Sequence, residues 1–385
     1  MCNFPSNLGA KLKKRELEDA LRSLPSNGNL VDFSSNDYLG FATNDTLYAN
    51  TFQLLLNKGI SQNGATGSRL ISGNHNLYKD LECDLSTFFK VESALVFNSG
   101  YDANLGFFSA VPQREDIILF DEFIHASIRD GILLSNAKKY KYKHNDLIDL
   151  EEKLSQALSK EFTGEVYVVT ESIFSMDGDS PDIDALLSFT KKNKCHLVID
   201  EAHAIGVFGK NGEGLVQQHK ACKDVFARIV TFGKAMGCHG AAVLGSEKLK
   251  EYLVNFSRSF IYTTGLPPHS VGTITAAFKF IVESEGVEAR KRLLENVVHF
   301  KKKAKDLKIQ ALFLPSNSAI QCCLIPGNEN VKKVAAKIQD KGFNVKAILS
   351  PTVPEGEERL RFCLHAQNSK EEIGLVLQIL SGCLK

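Results

Sequence analysis

Before residue 90, apolar residues recur at helical spacing. Residues 8–23 read as an amphipathic helix, with Leu12, Leu17, Leu21 and Leu24 on or near one face. A second helix is expected over 45–57. The Gly/Ser-rich stretch NGATGSRLISG at 63–73 is a loop, and Leu77, Leu81, Leu85 and Phe88 mark a third helix. The pattern then changes to short runs that are apolar throughout, at 94–97, 117–120, 166–169, 197–199 and 228–232. Helical stretches separate most of them, such as the stripe Leu147, Leu150, Leu154 and Leu158. Fully apolar strands alternating with helices predict an α/β fold, with a mainly parallel sheet covered on both faces.

Such sheets bind ligands beyond the carboxyl ends of their strands. The polar residues expected there are Asn98-Ser99-Gly100, Asp121, Thr170-Glu171, Asp200-Glu201 and Lys234. After Pro267-Pro268 comes a long helical region over 271–307. Strand candidates follow at 319–325, 344–349 and 360–364, then a closing helix from Ser369. The expected organisation is an N-terminal segment (1–45), a large domain (46–275) and a small α+β C-terminal domain (276–385).

Composition narrows the function classes. In 385 residues, 43% are hydrophobic and 24% charged, the balance of a globular protein. A net charge of +1 gives no reason to expect a nucleic-acid or membrane partner. The nine cysteines form no C-x-x-C pair and no metal-binding spacing, so reduced thiols, no metal and a cytoplasmic location are expected. No apolar run reaches the ~20 residues of a membrane span, and residues 1–30 lack a signal-peptide core.

Asp200-Glu201-Ala202-His203 directly follows an apolar strand. A carboxylate at a buried strand end is costly unless it meets a cation, and a protonated ring nitrogen is one such cation. The same four letters occur in nucleic-acid-dependent ATPases, but those need a G-x-x-x-x-G-K-[ST] phosphate loop, which is missing here. Lys234, in Thr231-Phe232-Gly233-Lys234, lies between a strand end and Gly237. A single lysine is usually a solvated charge. Paired with Asp200, it becomes the amine for an aldehyde beside the carboxylate for a pyridinium, as pyridoxal phosphate requires. Ser99-Gly100-Tyr101 carries a strand into a helix whose free N–H groups suit a phosphate. His125 and Ser175 follow two further strands on the same rim.

These residues, taken with FSSNDYLG at 33–40, Gly73, HAS at 125–127, SMDGD at 175–179 and GAAVL at 240–244, resemble the α-oxoamine synthases over nearly the whole chain. The resemblance implies a fold-type I pyridoxal-phosphate transferase with a mainly parallel seven-stranded sheet, acting as a homodimer. It implies that Lys234 holds the cofactor and moves the α-proton, and that Asp200 pairs with the pyridinium. His203 and Ser175 would contact the ring hydroxyl side, and His125 would stack on the ring. Gly100, Tyr101 and Thr231 would hold the phosphate, with Thr264 of the neighbouring subunit. Arg361 would bind the amino-acid carboxylate and Arg22 and Thr352 the acyl substrate, with Asn36 a further substrate-binding position.

AILSPTVPEGEERLR at 347–361, IYTTGLPP at 261–268 and KHND at 143–146 lean toward the member that condenses L-alanine with a pimeloyl thioester (coenzyme A or acyl-carrier protein) in biotin synthesis. The sister reactions join glycine to an acetyl group or serine to a long acyl chain; a non-catalytic regulatory subunit is the remaining alternative. Cys363, His365 and the stretch NHNLY at 74–78 depart from the family pattern, and alter the expected lining of the two substrate pockets.

Overall fold

The computed structural model describes residues 4–22, 24, 29–158 and 161–384. They divide into two compact units: 36–175 with 180–291, and 1–35 with 176–179 and 292–385. The strand β1 (Val31–Asp32) lies in the second of these, after the helix Ser6–Leu17; β2 to β8 build the sheet of the first.

In the larger unit the strands are β2 (Ser93–Phe97), β3 (Ile117–Asp121), β4 (Lys138–Tyr142), β5 (Val166–Glu171), β6 (His196–Asp200), β7 (Ala227–Thr231) and β8 (Ala241–Gly245). Their order is β2-β8-β7-β6-β5-β3-β4, and only β8 runs against the others. Successive side chains of one strand enter opposite cores. Ile118 packs with Phe107, Val169 and Ile229, while its neighbours Ile117 and Leu119 pack with Leu150, Val168 and Ile199. That double burial is why the strands read as unbroken apolar runs.

Two strands of this sheet escape the sequence pattern. β4 reads KKYKY and is largely exposed, as suits a sheet edge guarded by lysines. β8 is buried but rich in alanine, so its apolar run is weak. The expected single helical region over 271–307 is two helices, Pro268–Phe280 and Ser284–Asp306. A Cβ on Gly286 would lie 2.4 Å from the Phe280 carbonyl oxygen, so glycine permits the tight join.

In the smaller unit β9 (Ile320–Leu324), β11 (Lys346–Ile348) and β12 (Arg359–Cys363) form an antiparallel sheet in the order β11-β12-β9. The strand expected over 344–349 is divided: β10 (Phe343–Asn344) pairs in parallel with β1. The closing helix, Lys370–Cys383, is started by a capping box between Ser369 and Glu372. The helix expected over 8–23 spans Ser6–Leu17 and buries none of its residues; residue 23 lies outside the described residues. No described helix is long and apolar enough to cross a membrane.

Candidate active site

β5, β6 and β7 are parallel, so Glu171, Asp200 and Thr231 end on one edge of the sheet. After Thr231 the chain turns back into β8 through a loop closed by backbone bonds from Phe232 N to Gly240 O and from Cys238 N to Phe232 O, both 2.8 Å. Lys234 lies in this loop. Gly237 has φ +63°, and a Cβ there would lie 2.3 Å from the Ala42 nitrogen, so the loop packs on the 41–42 backbone. Lys234 is half-buried, and its Nζ is 2.7 Å from Nε2 of His203.

The adjacent carboxylates after β6 divide their duties. Glu201 is fully buried against Arg228, whose Nε donates to Oε2 at 2.7 Å, and this pair belongs to the core. Asp200 Oδ1 accepts from the Ala202 N–H and Oδ2 from Asn104 Nδ2, both at 2.8 Å. Asn104 also donates to Ser127 Oγ at 3.0 Å, which lies 2.7 Å from Nδ1 of His125. The Ser127 N–H donates to that same Nδ1 at 3.2 Å, so the neutral ring carries its proton on Nε2. His125 keeps more than a third of its surface exposed, yet desolvation by the protein around its ring holds its pKa below the ordinary value; the Asp200 charge opposes this and the Lys234 charge adds to it. Glu171, the register partner of Asp200, accepts the His125 N–H at 2.5 Å. Burial, and then the Asp200 charge, push its carboxyl well above the usual carboxylate range.

Beside Thr231, Ser99 caps the helix Gly100–Ala110 by accepting from the Asp102 N–H. A Cβ on Gly100 would come within 3.4 Å of Thr231 Cβ and 3.5 Å of its Oγ1. Glycine therefore keeps room between a helix start with outward N–H groups and a hydroxyl, a cradle for an anion. The exposed Tyr101 donates from its hydroxyl to Asp130, and this bond raises its pKa. Asn98 Nδ2 donates to Thr263 Oγ1 at 2.9 Å and to the Thr264 carbonyl at 2.6 Å, which holds Thr264 of the same chain at this end of the sheet. An amine, a buried carboxylate with lone pairs to spare and an anion cradle are the donor set that pyridoxal phosphate needs.

Ser175 is the half-buried last residue of the larger unit before 176–179. Asn36 begins that unit, and its Oδ1 accepts from the Tyr38 hydroxyl at 3.2 Å. The smaller unit brings together Arg22 and Thr352, with Nη2 donating to Oγ1 at 3.3 Å. Arg361 is buried on β12, its Nη1 2.8 Å from Cys363 Sγ. His365 is fully buried, Nδ1 3.1 Å from the Asp32 carbonyl and Nε2 3.0 Å from Ser35 Oγ. No metal-binding group of three or more His, Cys, Asp or Glu exists among the described residues.

Sequence reading gave no role to Tyr38, Asn104, Ser127 or Glu171. Two of them carry a usable signal: Glu171 at a strand end, and Asn104 one helical turn after Gly100.

The model of the family "Aminotransferase class I and II" matches residues 28–380. An 8-amino-7-oxononanoate synthase of Emericella nidulans is 36% identical, over 98% of this chain and 95% of its own length. The crystal structure of 8-amino-7-oxononanoate synthase from Francisella tularensis covers 92% of this chain and 97% of that one, with a TM-score of 0.76 and 29% identity. A serine palmitoyltransferase variant from S. paucimobilis, with pyridoxal phosphate and myriocin bound, reaches a TM-score of 0.87 at 25% identity, covering 98% and 96%. Backbone shape thus leans to one sister enzyme and sequence to the other, because the shared fold carries both. The chain belongs to the class I and II aminotransferase family, and within it to the pyridoxal-phosphate-dependent 8-amino-7-oxononanoate synthases.

Proposed function

We propose that the protein joins L-alanine to a pimeloyl thioester, releasing carbon dioxide and a free thiol and forming 8-amino-7-oxononanoate. The observation that carries this reading is the convergence of Lys234, His203, Asp200 and His125 at the strand ends of one compact unit. When bound, pyridoxal phosphate supplies an aldehyde for an amine and a protonated ring that withdraws electrons from the α-carbon.

The protein's residues do the rest. Lys234 would hold the aldehyde, and its free Nζ would take the α-proton of alanine. Asp200, steadied by Asn104 and the Ala202 N–H, would keep the ring nitrogen protonated. His203 and Ser175 orient the ring hydroxyl side. Gly100, Tyr101 and Thr231 bind the phosphate, helped by Thr264 of a second copy. His125, with its proton on Nε2, donates to the oxygen that gains charge as carbon dioxide leaves. Arg361 receives the alanine carboxylate and Arg22 and Thr352 the acyl chain, with Asn36 a further substrate contact.

A homodimer in the cytoplasm completes the reading. Tyr48, Phe52 and Leu56 form an exposed apolar stripe at i, i+4, i+8 on the helix Asp45–Asn57, which supports burial against another copy. Full activity in a sedimenting monomer would contradict it.

The test is a substrate panel crossing alanine, glycine and serine with acetyl, pimeloyl and palmitoyl thioesters, on coenzyme A and on carrier protein. Alanine with pimeloyl is expected to give the highest kcat/KM. A faster glycine–acetyl or serine–palmitoyl pair would overturn the substrate assignment.

A further inference from the structure

Tyr38 is 1% exposed, and its hydroxyl has two partners. It lies 2.7 Å from Nδ1 of His203 and 3.2 Å from Oδ1 of Asn36. On the other side of the imidazole, Nε2 is 2.7 Å from Lys234 Nζ. Four side chains from three separate segments thus form one line: Lys234, His203, Tyr38, Asn36.

The donors along that line can be assigned. An ammonium has only protons to give, so Nε2 of His203 accepts from Lys234. The proton of the neutral ring is then on Nδ1 and is donated to the Tyr38 oxygen. That leaves the Tyr38 proton for the amide oxygen of Asn36, which can only accept. Every proton in the line has an acceptor, and the directions agree from end to end. The backbone fixes this register. A Cβ on Gly206 would lie 2.6 Å from Ala235 Cβ and 3.6 Å from Leu39 Cδ1, so the turn after His203, the lysine loop and the segment after Tyr38 pack without slack. Gly40, at φ +74°, turns the chain just after Tyr38, and the Gly40 N–H closes that turn on the Asp37 carbonyl at 2.9 Å.

We propose that Tyr38 is a positioning residue: its hydroxyl holds His203 in the Nδ1–H tautomer, keeps Nε2 an acceptor toward Lys234, and couples Asn36 to that proton balance. The consequence for the cofactor rests on the reading of Lys234 as the residue that holds it. The tautomer itself does not. With phenylalanine in place of Tyr38, Nδ1–H loses its acceptor while the apolar packing of the ring remains, so His203 shifts toward the Nε2–H form.

The experiment labels histidine with ¹⁵N in the apoprotein and assigns His203 by its loss in His203→Asn. In the unmodified apoprotein Nδ1 is expected to give a pyrrole-type signal and Nε2 an acceptor-type signal. In Tyr38→Phe the two are expected to exchange character or average. The second arm follows the cofactor's visible absorbance against pH in the loaded enzyme. There Tyr38→Phe is expected to move the apparent pKa by about one unit, a tenfold change in the proton equilibrium, as befits one lost hydrogen bond. An Nε2–H tautomer in the unmodified apoprotein overturns the proposal whether or not the variant folds. So does a Tyr38→Phe protein that is less stable yet keeps both the tautomer and the absorbance pKa. If the tautomer arm behaves as expected but the absorbance does not depend on Lys234, the cofactor assignment fails and the positioning role stands.

Discussion

In the larger unit Asp200, Asn104, Ser127 and His125 bond to one another in sequence, and all but His125 are buried below a tenth of their surface. In the smaller unit Arg22 meets Thr352 at the surface, through a single bond of 3.3 Å that water contests. The first arrangement is fixed before any ligand arrives, because a buried polar group without its partner is costly. The second costs little to open. Chemistry that must be held to a fraction of an ångström is built into the first kind of region. Recognition of a long, flexible substrate can use the second.

Two arginines give the sharpest contrast. Arg228 is 1% exposed and paired with the fully buried Glu201. Arg228→Met should destabilise the protein by about 3–5 kcal/mol, because it strands a buried carboxylate. Urea unfolding measures this, and a loss below about 1 kcal/mol would mean that the pair is dispensable. Asp200→Asn should come next. The rate of α-proton exchange with bound alanine is expected to fall by about 100-fold or more, with a smaller change in alanine affinity. Exchange at the unmodified rate would remove Asp200 from the mechanism. Arg22→Ala should leave unfolding nearly unchanged and raise KM for the pimeloyl thioester by about tenfold, the loss of one charge-assisted bond. Unaltered pimeloyl kinetics would return Arg22 to the status of a surface charge.

The smallest effect concerns Glu171. Its folded pKa is raised, so the stability it contributes is full below the unfolded carboxylate range and is lost as pH rises through the folded value. Between the unfolded carboxylate range and that folded value, the folded state holds a proton that the unfolded state releases. Glu171→Gln keeps an oxygen for the His125 N–H and removes this linkage. Above the unfolded carboxylate range the apoprotein of this variant should be more stable than the unmodified one, with a flatter pH dependence of its melting temperature. A variant less stable there would contradict the direction.

The same contrast explains what the sequence made legible. Strands buried on both faces need apolar residues at every position, so β2, β3, β5, β6 and β7 stood out without tertiary information. β4 is exposed on its edge and lysine-rich, which erases the signal. At the site, Lys234 and Asp200 were readable because each follows such a strand and because their chemistry is complementary. Tyr38 and His203 are 165 positions apart, and Arg22 and Thr352 are 330 apart. No local pattern joins such pairs. The family resemblance had singled out Arg22 and Thr352, yet their contact needed the fold. Glu171 was visible as a strand-end carboxylate, but its role depends on lying beside Asp200 in the register of β5 and β6.

The central claim is that the larger unit carries pyridoxal phosphate on Lys234. The most direct test reduces the loaded enzyme with borohydride, digests it and locates the pyridoxyl group by mass spectrometry. One modified peptide is expected, containing Lys234, and it should disappear in Lys234→Ala while the variant remains folded. A stoichiometric label on another lysine, or an undiminished label in Lys234→Ala, would contradict it.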